Sequence, residues 1–239
     1  MATFVLVHGA WHGGWCWERV APLLVAKGHR VIAPDLPGMG SDTRKHGADP
    51  LGDWTDFVAD LATSAGEPVI LVGHSLGGVV ISEVAERVPE TIDRLVYLTA
   101  FLLRSGQSLA DVANRYPDVG PGPALRPADV DGEVIVDPAQ AVGIFYNAMS
   151  ADDAQAAVDR LVAQPVAAFT KPVSLTAERF GRVPRVYVEA TDDQAISLEM
   201  QREMQAALPC DQVITLKCDH SPFYSAVPEL AEVLLSLAN

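Results

Sequence analysis

Three side-chain types in this chain could together perform nucleophilic chemistry: a serine held in a turn, a late histidine, and an aspartate between them. Ser75 lies in Gly73-His74-Ser75-Leu76-Gly77, directly after the apolar run 69–72 and just before a helix-like stretch, 79–87. Strand, tight turn and helix in that order is the setting in which a G-x-S-x-G pentapeptide holds its serine out above a sheet. The flanking glycines let strand and helix approach without Cβ clashes. The Leu76 N–H, at the head of the helix, can then face a developing oxyanion. Outside that setting, the same five residues would be a glycine-rich turn whose serine merely caps a helix.

A serine hydroxyl near neutral pH needs a base to take its proton as it attacks, and the base needs a third group to hold its tautomer. His220 is the only histidine after Ser75, and Lys217-Cys218-Asp219-His220-Ser221-Pro222 follows the predicted strand 211–216. Where a nucleophile sits after a central strand, the order is serine, acid, histidine. The strand 94–99 is followed by Ala100-Phe101-Leu102-Leu103, with no carboxylate, whereas 185–190 is followed by Thr191-Asp192-Asp193-Gln194. Both aspartates lie in one turn, and spacing does not choose between them. Asp35 precedes Ser75 and reads as turn chemistry. A second oxyanion donor is expected from the glycine-rich loop after the strand 3–7, His8-Gly9-Ala10-Trp11-His12-Gly13-Gly14, with Ala10 as the candidate. His8 and His12 have the i, i+4 spacing of a metal pair. Gly9 and Gly13-Gly14 break the helix that such a pair needs, so they read as braces for the loop and no metal is expected.

These residues must be carried by a sheet. Helix-like segments at 15–27, 53–64 and 76–88 alternate with strands at 3–7, 30–33, 69–72 and 94–99, which predicts right-handed crossovers and a mostly parallel, doubly wound sheet of about six strands. The rhythm breaks over 103–182. There the sequence predicts proline- and glycine-rich turns, a short hairpin around Asp131-Gly132, and helices near 138–148 and 151–163. An insertion after the fourth strand, at the carboxyl edge, reads as a helical cap over a core formed by 1–102 and 183–239. Phe145, Tyr146, Met149, Phe169 and Phe180 are its candidate pocket residues. The pattern resumes with a strand at 185–190, a helix at 197–208, the strand 211–216 and a closing helix at 228–237.

A formal net charge of −14 argues against nucleic-acid binding and gives no attraction for anionic substrates. Three cysteines, Cys16, Cys210 and Cys218, form no disulfide framework and point to a reducing cytoplasm. No apolar run approaches the roughly 18 residues of a membrane span, and the first residues have no cationic leader, so neither membrane anchoring nor secretion is expected.

The chain resembles the plant methyl esterase and hydroxynitrile lyase group of the α/β-hydrolase superfamily, which includes salicylic-acid-binding esterases and similar bacterial pyrethroid esterases. The resemblance rests on the loop 8–15, Gly73-His74-Ser75-Leu76-Gly77-Gly78, Val96-Tyr97-Leu98-Thr99-Ala100-Phe101, Glu178-Arg179-Phe180-Gly181, Arg185-Val186-Tyr187, 193–201 and Asp219-His220. It is weakest over 105–140. In that group the acid lies eight positions before the glutamine matched by Gln201, which selects Asp193 over Asp192. The resemblance implies an α/β-hydrolase fold and a triad of Ser75, Asp193 and His220. Ala10 and Leu76 are the expected donors of the oxyanion N–H groups, and Gly9, Trp11, Phe101, Phe145, Tyr146 and Phe180 are the expected substrate contacts. The lyases carry threonine at the position of Gly9 and lysine at that of Ser221, so the resemblance favours hydrolysis of small, uncharged, aromatic or branched esters without cofactor. Cyanohydrin cleavage and pure ligand reception on the same scaffold are the alternatives, and nothing forbids a homodimer. Asp193→Asn is expected to lower ester turnover by orders of magnitude and Asp192→Asn to do far less, because only one carboxylate supports the imidazolium. Steady-state kinetics of the two variants decide, and equal losses would put the acid elsewhere.

Overall fold

A computed structural model describes residues 1–238. The first apolar run forms β1 (Thr3–Val7), buried at every position. The expected helix over 15–27 divides into a 3₁₀ turn, Gly14–Trp17, and α1 (Ala21–Ala26). Pro22 lies in the first turn of α1, where its missing N–H leaves nothing unpaired. β2 (Arg30–Ile32) follows, and then α2 (Pro50–Ser64). α2 starts earlier than its apolar periodicity shows, because Asp49 caps it by accepting from the Gly52 N–H at 3.1 Å. Next come β3 (Val69–His74), α3 (Gly77–Arg87) and β4 (Ile92–Leu98).

Between β4 and the next strand of the main sheet lie α4 (Leu109–Ala113), β5 (Leu125–Pro127), β6 (Glu133–Val136), α5 (Pro138–Phe145), α6 (Ala151–Val158), β7 (Gln164–Pro165) and α7 (Ala167–Thr170). The hairpin at Asp131-Gly132 is β5 against β6, and β7 extends it to a small antiparallel sheet. Sequence patterning does not reveal that sheet, since strands of 3, 4 and 2 residues are too short for alternation to register. The chain closes with β8 (Arg185–Ala190), α8 (Leu198–Ala207), β9 (Gln212–Leu216), α9 (Pro222–Ser225) and α10 (Val227–Ser236).

The main sheet has six parallel strands in the order β2-β1-β3-β4-β8-β9, the doubly wound sheet of an α/β-hydrolase fold. Successive side chains of a strand face opposite sides, and β1 divides accordingly. Val5 and Val7 join the core under α2, α3 and the insertion, whereas Phe4 and Leu6 join the core under α1 and α10. All strands point the same way, so the loops after β1, β3, β4, β8 and β9 gather at one edge.

At that edge the elbow is closed by backbone contact. A Cβ on Gly73 would stand 2.5 Å from the Gly77 carbonyl oxygen, one on Gly77 2.8 Å from the Val7 oxygen, and one on Gly78 2.5 Å from the Phe101 oxygen. Gly78→Ala is therefore expected to destabilise by about 1–3 kcal/mol, as overpacking against rigid backbone does. Gly143→Ala, in α5 with open space around it, is expected to gain up to about 1 kcal/mol from helix propensity. Urea midpoints measure both, and a neutral Gly78→Ala would refute the close approach.

Candidate active site

The turn after β8 carries Asp193 and the loop after β9 carries His220, and the two meet. His220 Nδ1 lies 2.7 Å from Asp193 Oδ2, with both side chains buried. A carboxylate only accepts, so Nδ1 carries the proton and Nε2 is the basic nitrogen. Asp193 is fixed in turn. Its Oδ1 accepts the N–H groups of Ala195 at 2.6 Å and Ile196 at 2.9 Å, and the Thr99 hydroxyl donates to Oδ2. Asp192 instead is exposed, and its backbone N–H donates to the Cys218 carbonyl at 3.0 Å.

Ser75 follows β3 with φ +54°, a left-handed conformation that side chains other than glycine rarely adopt. Its carbonyl accepts from Gly78 N–H at 3.0 Å and Phe101 N–H at 3.1 Å, and its own N–H reaches the Leu98 oxygen at 3.4 Å. Those bonds hold the strained residue in place. Opposite it runs the loop after β1. His8 Nδ1–H donates to the Gly9 carbonyl at 2.8 Å while Nε2 accepts the Leu36 N–H at 3.1 Å. His12 Nδ1–H donates to the Ala10 carbonyl at 2.7 Å, and Nε2 accepts the Tyr146 hydroxyl at 2.8 Å. His74 Nε2–H donates to the His220 carbonyl at 2.7 Å. Trp11, at φ +62°, is pinned to the insertion through Gln164, Val162 and Val134. Asp35 does more than turn chemistry, since it accepts the Gly14 N–H at 2.7 Å as well as Ser41.

Ser75, His220, Ala10 and Leu76 share a cavity of about 380 Å³. Its walls are Trp11, Phe101, Phe145 and Phe169, with Leu109, Ala113, Tyr116 and Pro117 from the insertion and Ile196 and Met200 beyond the acid turn. Among the described residues, no Asp, Glu, Lys or Arg lines it. A more polar cleft beside Trp15, Asp35 and Arg160 contains neither Ser75 nor His220.

Several expected substrate residues stand elsewhere. Tyr146 is wholly buried behind the cavity, its hydroxyl drawn to His12. Phe180 lies under the Arg185 guanidinium at 4.9 Å, with its N–H on the Glu86 carboxylate of α3. Met149 is half-buried and packs against the core. Gly9 does not line the cavity, because a Cβ there would meet Ser75 Cβ at 2.8 Å and His74 Nδ1 at 2.9 Å. Thr99, Ile196, Met200 and the 109–122 wall belong to the site without being marked as such by the sequence. Apolar Leu109, Val112, Ala113 and Tyr116 at helical spacing were the available signal for that wall.

Burial dominates the protonation of the loop histidines. It lowers His8 to about 4 and His12 to about 3, and holds His74 well below the ordinary imidazole value. All three stand neutral around His220, and both ring nitrogens of His8 and of His12 are engaged in holding the loop.

Residues 4–233 match the family described as "Alpha/beta hydrolase family". The chain is 34% identical to salicylic acid-binding protein 2 of Nicotiana tabacum, over 99% of this chain and 96% of that one. It is 32% identical to methylesterase 1 of Arabidopsis thaliana, over 99% and 95%. Among solved structures it is similar to a pyrethroid hydrolase of Sphingobium faniae JZ-2, with TM-score 0.85 and 30% identity over 99% of this chain and 97% of that one.

The neutral histidines set an acid limit. Unfolded, each takes a proton near pH 6.5; folded, His8 does so only near 4 and His12 near 3. Between those values the unfolded chain binds more protons, so stability falls as pH drops, by about 1.4 kcal/mol per pH unit for each histidine. The urea midpoint is expected to decline steeply from pH 7 to 5, before most carboxylates titrate. A flat midpoint over that range would contradict the neutral assignment.

Proposed function

The chain belongs to the alpha/beta hydrolase family, and on that footing we propose that it is a serine esterase for small, uncharged, aromatic or branched esters, acting through an acyl-enzyme. The names of its relatives support an esterase function. The observation that carries the finer reading is the His220–Asp193 bond, which makes Nε2 the basic nitrogen of a histidine that lines the same largely apolar cavity as Ser75.

In this reading Ser75 Oγ attacks the ester carbonyl as His220 Nε2 takes its proton. Asp193 keeps Nδ1–H oriented and stabilises the imidazolium. The N–H groups of Ala10 and Leu76 receive the oxyanion; neither has a protein hydrogen-bond partner among the described residues. The imidazolium returns its proton to the departing alcohol, and water activated by His220 then cleaves the acyl-enzyme. Ser75, His220, Asp193 and the two amides supply every step, so the reading calls for no cofactor. The insertion 103–182 acts as the cap that walls the substrate, and its lack of charged lining residues selects neutral, apolar groups. Cyanohydrin cleavage lacks support, since Ser221 is wholly buried and offers no cation to a leaving cyanide. The three free thiols fit a cytoplasmic setting.

The test is acylation itself. Purified protein is mixed with p-nitrophenyl acetate, then with methyl and aryl esters, and the quenched enzyme is examined by peptide mass. An alcohol burst and an acyl group on the Ser75 peptide are expected, and Ser75→Ala should lose at least about 1,000-fold in turnover. Retention of more than a few per cent by Ser75→Ala would overturn the nucleophile.

A further inference from the structure

Where α5 gives way to α6, three consecutive residues of the insertion reach three separate loops of the main sheet. Tyr146 donates its hydroxyl to His12 Nε2 at 2.8 Å, in the loop that carries Ala10. The Asn147 side-chain amide donates to the Asp192 carbonyl at 3.2 Å, in the turn that carries Asp193. The Ala148 N–H donates to Asp219 Oδ2 at 2.9 Å, next to His220. Asp219 is wholly buried, and its other oxygen accepts the Ser221 N–H at 2.9 Å and the Ser225 hydroxyl. The Phe145 ring lies 5.7 Å from the imidazole of His220.

We infer that residues 146–148 are a strut that sets the oxyanion loop, the acid turn and the histidine loop relative to one another, with Tyr146 as a positioning residue for the Ala10 donor. The inference rests on the esterase reading of the site. Two peptide planes flank the Ala10 Cα, and a histidine holds each. His8 binds the Gly9 carbonyl and His12 the Ala10 carbonyl. In a trans peptide the N–H points opposite to the C=O, so the His8 bond aims the Ala10 N–H, while the His12 bond holds the next plane, which carries the Trp11 N–H, and thereby fixes Ala10 from its other side. His12 serves only as the Nδ1–H tautomer. The Ala10 carbonyl, which can only accept, fixes that tautomer, and the Tyr146 hydroxyl donates to the Nε2 lone pair and so holds the ring from its other side. Without it the buried Nε2 has no partner and the ring that holds the Ala10 carbonyl loses its second anchor. The oxyanion donor loosens while the apolar walls that bind substrate stay in place.

This anchoring also separates two parts of the insertion. The 146–148 end cannot swing away without releasing three loops, so substrate enters past the 109–122 wall, where Asn114 and Pro117 are exposed and line the cavity.

The experiment compares wild type with Tyr146→Phe, which keeps the ring, and Asn147→Ala, which removes one exposed bond. On p-nitrophenyl acetate, Tyr146→Phe is expected to lose about 10–100-fold in kcat with KM within about threefold, as loss of oxyanion alignment does. Asn147→Ala is expected to lose roughly 3–10-fold in the same way. Amide hydrogen exchange should rise in segment 8–13 for Tyr146→Phe and in 190–196 for Asn147→Ala, with little change in Tm. A raised KM at unchanged kcat would make Tyr146 a wall residue instead, and unchanged exchange in both segments would overturn the strut. The exchange readout stands even if the wild type hydrolyses no ester, a result that would sink the esterase reading alone. Should Tyr146→Phe not fold, Asn147→Ala decides.

Discussion

At the end of β3 the chain passes through Ser75 at φ +54°, and much of the structure serves to keep it there. Such a conformation costs about 1–3 kcal/mol and persists only where its surroundings over-determine it. Gly73 and Gly77 let strand and helix backbones meet at distances no Cβ would permit, and Gly78 does the same beneath the Phe101 carbonyl. The Ser75 carbonyl is then caught twice, by Gly78 and Phe101. Neighbouring loops inherit the constraint. Gly9 faces the elbow at similar range, so the loop after β1 lies in close contact with it.

The second constraint is polar. Four imidazoles, His8, His12, His74 and His220, gather close together and are all buried, and a buried polar group without a partner costs about 1–3 kcal/mol. Three of them bond backbone carbonyls, which fixes their tautomers and with them the directions of the loop peptides. The fourth bonds Asp193. Only His220 is paired with a carboxylate, so it alone has a partner for positive charge.

The sheet was legible because apolar runs such as 4–7 and 69–72 alternate with helix-like segments, and the elbow because its glycines follow one of those runs. Asp193 and Asp192 could not be told apart by spacing. They differ in which one points inward from a shared turn, a property of backbone direction that composition does not carry. Tyr146 and Phe180 were candidates for the substrate because aromatics of an insertion beside a nucleophile can line an apolar pocket, although packing within the insertion is their commoner use. The hydroxyl drew Tyr146 to His12, and the Arg185 guanidinium claimed the Phe180 ring. The β5-β6-β7 sheet escaped notice because its strands owe their pairing to partners distant in sequence rather than to local pattern.

The uncharged lining of the cavity has a consequence for the end of the catalytic cycle. An ester arrives neutral, but its acid half leaves as an anion. No lysine or arginine among the lining residues would hold that carboxylate, and the chain around it carries a net charge of −14. Desolvation and the surrounding field both push the product outward. Under the esterase reading, the site clears itself by electrostatics, and inhibition by its own acid product is weak by construction.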